Sequence, residues 1–276
     1  MNQLETIYHG KVNTFNLPSS LDEMSPDCFL IFIDQLLNQK DHRTFKSIMF
    51  TAFLKQAGFN QLKPLLKEYN YEHLATQYTH FLFEEKTKPV FNCLIPNILH
   101  GWYKLKGFGL LMSNLSFRQF RKAQCFARDF AESDNIKDLA MIIAWLYIPV
   151  NSLKLQWVDE NAQIDKYVEE RCIRILKQLP YSTMFAIYTN FNQVRDTLKY
   201  KFPLTLGKAE EKAKFFGTNG KEINLEDSFE DMLYTRSGGD ILKDNLVDLS
   251  PALDVFAHFE SEARDYNRQK QALDNA

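Results

Sequence analysis

Apolar residues recur along this chain mostly at helical spacing. Between Met24 and Leu37, Phe29, Phe32, Ile33, Leu36 and Leu37 fall at i, i+3, i+4, i+7 and i+8, which is one face of a helix. Ser25 before Pro26 is an N-cap and first-turn pair in which the missing proline N–H costs nothing. Met24 and Phe29 are spaced for a hydrophobic staple. Leu30 and Ile31 widen the stripe, so this helix is expected to be deeply buried. A second helix opens at Asp41 or His42, runs through about Gln56 and stops at Gly58. Helical patterns continue over 62–69 and 71–83.

Two regions break that period. Residues 5–17 carry Gly10 and Lys11 between two short β-prone runs, and 88–106 carry two more around Pro96 to Gly101. Both read as hairpins, the second at a sheet edge, and the four strands are candidates for one small sheet. Gly107 and Gly109 then begin a loop ending at Asn114 to Ser116. A helix over Phe117–Ser133 gathers Phe117, Phe120, Ala123, Ala127, Phe130 and Ala131 on one face, with Arg118, Arg121, Lys122 and Arg128 on the other. After a one-turn break, 136–147 form a nearly all-apolar helix that ends before Pro149.

Further helices are expected over 159–179, stopping at Pro180, over 182–200, and over the short charged run 208–216. GTNGKE at 217–222 reads as a turn, and 226–236 as a helix broken by Gly238 and Gly239. The last helix is expected to be capped by Ser250 with Pro251 in its first turn. In it Ala252, Phe256, Phe259, Ala263 and Tyr266 alternate by four and three, a short coiled-coil-like seam.

A length of 276 residues with 45% hydrophobic content is enough for a large core. Phe is abundant, at 23 residues, and buries area without a polar handle, which favours packing over catalysis. The net charge of −2 creates no field to attract nucleic acid or anionic membrane, but it is unevenly spread. Residues 208–276 carry a net −6 and the remainder a net +4. Cys28, Cys93, Cys125 and Cys172 lie far apart with no CxxC, as expected for reduced core cysteines in a cytosolic compartment. The opening MNQLETIYHGK lacks the features of a signal peptide, and no apolar run reaches the roughly 20 residues of a membrane helix.

Candidate chemistry is sparse. His9, His42, His73, His80, His100 and His258 show neither an i, i+4 pair nor HExxH, so a zinc site would need distant segments to meet. Glu226, Asp227, Glu230 and Asp231 share a helical face but lack a calcium-loop pattern, and the helix dipole explains them better. GTNGKE lacks the spacing of a phosphate loop, Gly107-x-Gly109 lacks a third glycine, and no GxSxG occurs. The basic face of Phe117–Ser133 reads first as a solvated face, then as a site for an acidic protein partner, with nucleic acid a distant third. The acidic 208–276 region is itself a candidate partner for it.

Three stretches carry a family resemblance. They are VNTFNLPSSLDEMSPDCFLIFIDQLL (12–37), LLMSNLSFRQFRKAQCFARDFAESDNIKDLAMIIAWLYIP (110–149) and YTRSGGDILKDNLVDLSPALDVFAHFESEA (234–263). Together they resemble proteins encoded among the tail genes of tailed phages and prophages of Bacteroidetes-type bacteria, similar to tail assembly chaperones that bind the tape-measure protein. The loop at 107–111 departs from the Gly-Pro-type loop of that group. The motifs look structural, so no catalytic residue carries over.

The expected fold class is mainly α: a multi-helix core with a small antiparallel β element near the N-terminus. Residues 1–206 would form the helical core with its hairpins, and 207–276 an acidic C-terminal helical appendage. Partner contacts are expected at Arg118, Arg121, Lys122 and Arg128 and along Ala252, Phe256, Phe259, Ala263 and Tyr266. No catalytic residue, cofactor or metal is expected, and no membrane. The resemblance implies a tape-measure or other tail protein as partner and a place in the host cytoplasm, and the seam is a candidate for either partner contact or self-association. The alternative is a tail or neck component retained in the virion.

Overall fold

The chain opens with a hairpin in the computed structural model, which describes residues 2–8, 11–38, 41–59, 71–84, 89–99, 104–149, 167–206 and 241–274. Strand β1 (Asn2–Tyr8) pairs antiparallel with β2 (Lys11–Leu17), from Asn2 opposite Leu17 to Tyr8 opposite Lys11. Leu4 and Leu17 are buried and Phe15 packs beside them, because these positions share one face of the pleat.

Helix α1 (Pro26–Leu37) starts where its sequence says: the Ser25 hydroxyl accepts the Cys28 N–H at 3.3 Å, with Pro26 in the first turn. Cys28, Phe29, Phe32 and Ile33 are buried. The expectation of deep burial fails on the other flank, where Leu36 and Leu37 are 47% and 36% exposed and Leu30 and Ile31 half-buried. No element among the described residues closes over that side of the widened stripe.

Helix α2 (His42–Gln56) is capped by Asp41, whose carboxylate accepts the Thr44 N–H at 2.9 Å. Hydrogen bonding to Thr44 holds the Asp41 carboxyl below its usual range, so the cap stabilises fully above that range and is lost as pH falls through the lowered value. At the other end the Phe59 N–H reaches the Leu54 carbonyl at 2.8 Å and the Gly58 N–H reaches Lys55 at 3.0 Å. This double closure requires a left-handed residue, and Gly58 supplies it at φ +85°. Helix α3 (Tyr71–Thr79) continues as a tighter turn over His80–Phe83; the helix expected over 62–69 lies outside the described residues.

Strands β3 (Asn97–Ile98), β4 (Leu105–Lys106) and β5 (Ile148–Pro149) form a second antiparallel sheet in the order β3-β4-β5. The four strands expected to merge therefore stand in two separate sheets, and the second takes its third strand from the residues after the apolar helix. Asp22 and Asn190 brace the segment leading into it. The Asp22 carboxylate accepts the Phe91 and Asn92 N–H groups, and Asn190 bridges the Leu94 N–H and the Asn92 carbonyl.

Helix α4 (Phe117–Ser133) has a full capping box between Ser116 and Gln119, and closes at Asp134 in the left-handed region at φ 56°. Its inner face matches expectation at Phe117, Phe120, Ala123, Ala127 and Phe130, but Ala131 is exposed. The Gln119 amide also donates to the Trp145 carbonyl at 2.9 Å, tying α4 to the end of α5 (Ile136–Leu146). Helices α6 (Val168–Gln178), α7 (Tyr181–Lys201), the single turn α8 (Pro203–Leu206), α9 (Ile241–Leu249) and α10 (Ala252–Asp274) follow.

The packing runs α3, α2, α1, α7, α5, with α4 and α6 both against α5 and α10 against α4 and α8. One buried cluster extends from Leu4 to Phe256. The mainly α class with a small N-terminal antiparallel element is what the structure shows. The expected features over 208–236 and at Gly238 and Gly239 lie outside the described residues. No described helix is long and apolar enough to cross a membrane.

The left-handed closure of α2 gives a direct test. Gly58→Ala should lower unfolding free energy by about 1 to 2 kcal/mol, read by urea denaturation, although a new Cβ there meets nothing within 4 Å. An unchanged midpoint would mean that backbone strain does not limit this turn.

Candidate partner-binding surfaces

Both surfaces expected from the sequence meet each other. Around the start of α4, Ser116 forms an antiparallel bridge with Pro251. The Phe117 N–H donates to the Ser250 carbonyl and the Ala252 N–H to the Leu115 carbonyl, each at 2.9 Å. This exchange corrects the expected cap. The Ser250 hydroxyl donates back to Leu246 at 2.8 Å and closes α9, while the Pro251 carbonyl accepts the Val255 N–H at 3.2 Å and starts α10.

Asp248 on α9 sits over the basic face of α4. Its carboxylate accepts Arg118 Nε at 2.8 Å and Arg121 Nη2 at 3.1 Å. Arg118 also donates to the Asn245 amide oxygen at 3.2 Å. Two of the four basic positions are thus engaged by the acidic C-terminal region of the same chain. Arg128 pairs with its neighbour Asp129 at 3.0 Å, and Lys122 is half-buried. Mixing charge with burial makes this junction asymmetric: removing Asp248 takes from two largely buried guanidiniums the carboxylate they share.

The seam of α10 turns inward over its first half. Ala252 and Phe256 are buried, and Phe256 makes edge contacts with Phe120 at 4.9 Å and Phe117 at 5.9 Å. Phe202 closes the pocket at 5.8 Å. One turn on, buried Glu260 uses a carboxylate oxygen to accept the Leu204 and Thr205 N–H groups at 3.0 Å and the Thr205 hydroxyl at 3.1 Å. It therefore satisfies the first N–H groups of α8. Beyond it Phe259 is half-buried, Ala263 is buried, and Tyr266 is 49% exposed. The helix leaves the core between these residues.

The other candidate groups have ordinary surroundings. His42 lies against Phe83, His80 pairs with Glu84 and His258 with Glu262; His9 and His100 lie outside the described residues, as do the acids at 226–231 and GTNGKE. Among the described residues no three His, Cys, Asp or Glu side chains gather as metal ligands. Burial pushes the Cys93 thiol up to about 11, the reverse of what a nucleophile needs. Its neighbour Tyr147 is held well above the usual phenol range by burial and donates to the Ile95 carbonyl at 2.6 Å. A Cβ on Gly107 would meet the Cys93 sulfur at 2.8 Å, so the loop at 107–111 needs its glycine for close packing.

Two surfaces escaped the sequence reading. Between α1 and α2 lies an open groove of about 450 Å³ lined by Ile31, Ile48, Ala52 and Thr51, with Arg43 and Lys55 along it. On α6, Ile173 and Leu176 are 53% and 36% exposed. Their signal was surplus apolar residues beside a complete stripe, which periodicity alone counts as extra burial. Comparison with protein families, with curated proteins and with solved structures returns no match to this chain.

Replacing either side of the α4 junction should be costly. Phe256→Ala is expected to lose about 4 kcal/mol and Asp248→Ala about 3 kcal/mol, measured by denaturant unfolding. Losses under about 1 kcal/mol for both would show that the C-terminal helices contribute little to the core.

Proposed function

We propose that the protein is a non-enzymatic phage tail assembly protein, a chaperone that binds a tape-measure protein in the host cytoplasm. The observation that carries this reading is the junction just described. Two of the three stretches that bear the resemblance, 110–149 and 234–263, meet through the Ser116 to Pro251 bridge and the Arg118, Arg121 and Asp248 cluster. Motifs that jointly build a helical scaffold support a likeness of whole fold, and function follows from fold only by analogy. The partner contact is placed where the seam emerges, at Phe259 and Tyr266. A long amphipathic partner exposes apolar stripes until it assembles, and a projecting helix offers a surface to cover one.

Co-expression with a tape-measure fragment tests the role. A complex should form at micromolar concentration, and Tyr266→Glu should weaken it at least about tenfold while the variant stays folded by circular dichroism. Two proteins that purify apart would sink the reading. Mass spectrometry of purified virions separates it from a tail or neck component, since a chaperone should be missing from the particle.

A further inference from the structure

Two exposed surfaces, neither covered by another described element, match each other. On α6 the outward positions Glu169, Ile173 and Leu176 follow i, i+4, i+7 and so form one ridge. All three are exposed, the two aliphatics by 53% and 36%, and Glu169 forms no ion pair among the described residues. On α2 the groove runs from Lys55 past Thr51, Ala52, Ile48, Ser47 and Thr44 to Arg43, with Ile31 of α1 along it. Lys55 is exposed and has no partner among the described residues, whereas Arg43 at the other end is held by Glu72 at 2.9 Å.

The lengths agree. From Glu169 to Leu176 and from Lys55 back to Ile48 are both seven residues, about 10 Å of helix. With the helices antiparallel, Glu169 meets Lys55, Ile173 meets Thr51 and Ala52, and Leu176 meets Ile48. The ridge is acidic at the end where the groove has its unpaired cation. Within one chain they do not meet: the groove is open, the ridge is exposed, and α7 and α5 lie between α1 and α6 in the packing order.

We infer that the occupant of the α1–α2 groove is the α6 ridge of a second copy of this chain, in head-to-tail self-association. Such a contact leaves a free groove at one end and a free ridge at the other, so it does not stop at a dimer. A single helix ridge is a small interface, so association is weak, with Kd in the range of about 10 to 100 µM. This inference is independent of the tail-assembly reading and uses a different surface from α10.

Sedimentation velocity on the full chain, from about 5 to 500 µM, tests it. Average mass should climb past that of a dimer as concentration rises. Ile48→Glu (groove) and Ile173→Glu (ridge) should each remain monomeric. Mixed one to one, they should give a dimer and nothing larger, because each supplies the half the other lacks. Since Ile48 is half-buried, a charge pair guards against misfolding. Lys55→Glu alone should abolish association, and Lys55→Glu combined with Glu169→Lys in one chain should restore it. A wild type that stays monomeric overturns the inference, as does association that saturates at a dimer, or a mixture of the two single variants that stays monomeric. A monomeric wild type whose groove variant loses a co-purifying helical partner gives the groove to another protein, and also overturns it.

Discussion

An eleven-residue helix that hides Leu139, Ala140, Ile142, Ile143, Ala144, Trp145 and Leu146 needs neighbours on almost every side. That requirement organises the fold. Helices α4, α6 and α7 all lie against α5, and β5 begins two residues after it ends, because a chain leaving so buried a helix is still inside the protein. The Arg171 guanidinium follows the same logic. It is almost wholly buried and donates from Nε to the Ala144 carbonyl at 3.0 Å. A backbone acceptor near the end of α5 thus meets a charged donor in a region where water is excluded.

Polar side chains do their structural service at element ends rather than in the middle. Ser25, Asp41, Ser116 and Asn135 each accept an N–H at the head of a helix. Glu260 does so from a distance, heading α8 from the side of α10. Asp22, Asn190 and Thr197 do likewise for the extended segment at 90–94, whose backbone has no sheet to bond to. Each of these groups closes an open backbone donor; at Val90, Leu94 and Thr205, where the bond is buried, that donor would otherwise be desolvated without a partner.

What the sequence revealed follows this division. Helices α1, α2, α4 and α5 were legible to within a residue or two, because caps and apolar period are local signals. Strand β5 was not, since two residues carry no period. Leu111 and Met112 adopt left-handed backbone at φ 50° and 60°, and neither residue type advertises that. Ser250 looked like a cap for α10 because Pro251 followed it; only its hydroxyl's bond to the Leu246 carbonyl shows that it serves the helix before. The pairing of Arg118 and Arg121 with Asp248 spans about 130 positions, so charge distribution pointed to the acidic 208–276 region as a partner for this face but not to Asp248 or to the two arginines it takes. The groove and the ridge were hidden for another reason. Their residues are apolar at helical spacing, and a single sequence does not say which of two adjacent apolar flanks a neighbour will cover.

The bridge at Pro251 also bears on how the polypeptide is made. Phe117 and Phe120 leave the ribosome long before Phe256, and the aromatic pocket they build has no filling until α10 emerges. During that interval the nascent chain displays bare rings on α4, with two arginines beside them still lacking their aspartate. Translation speed through the stretch before α10 therefore sets how long this sticky face is open to other chains, and the yield of folded molecules should depend on that pace as well as on final stability.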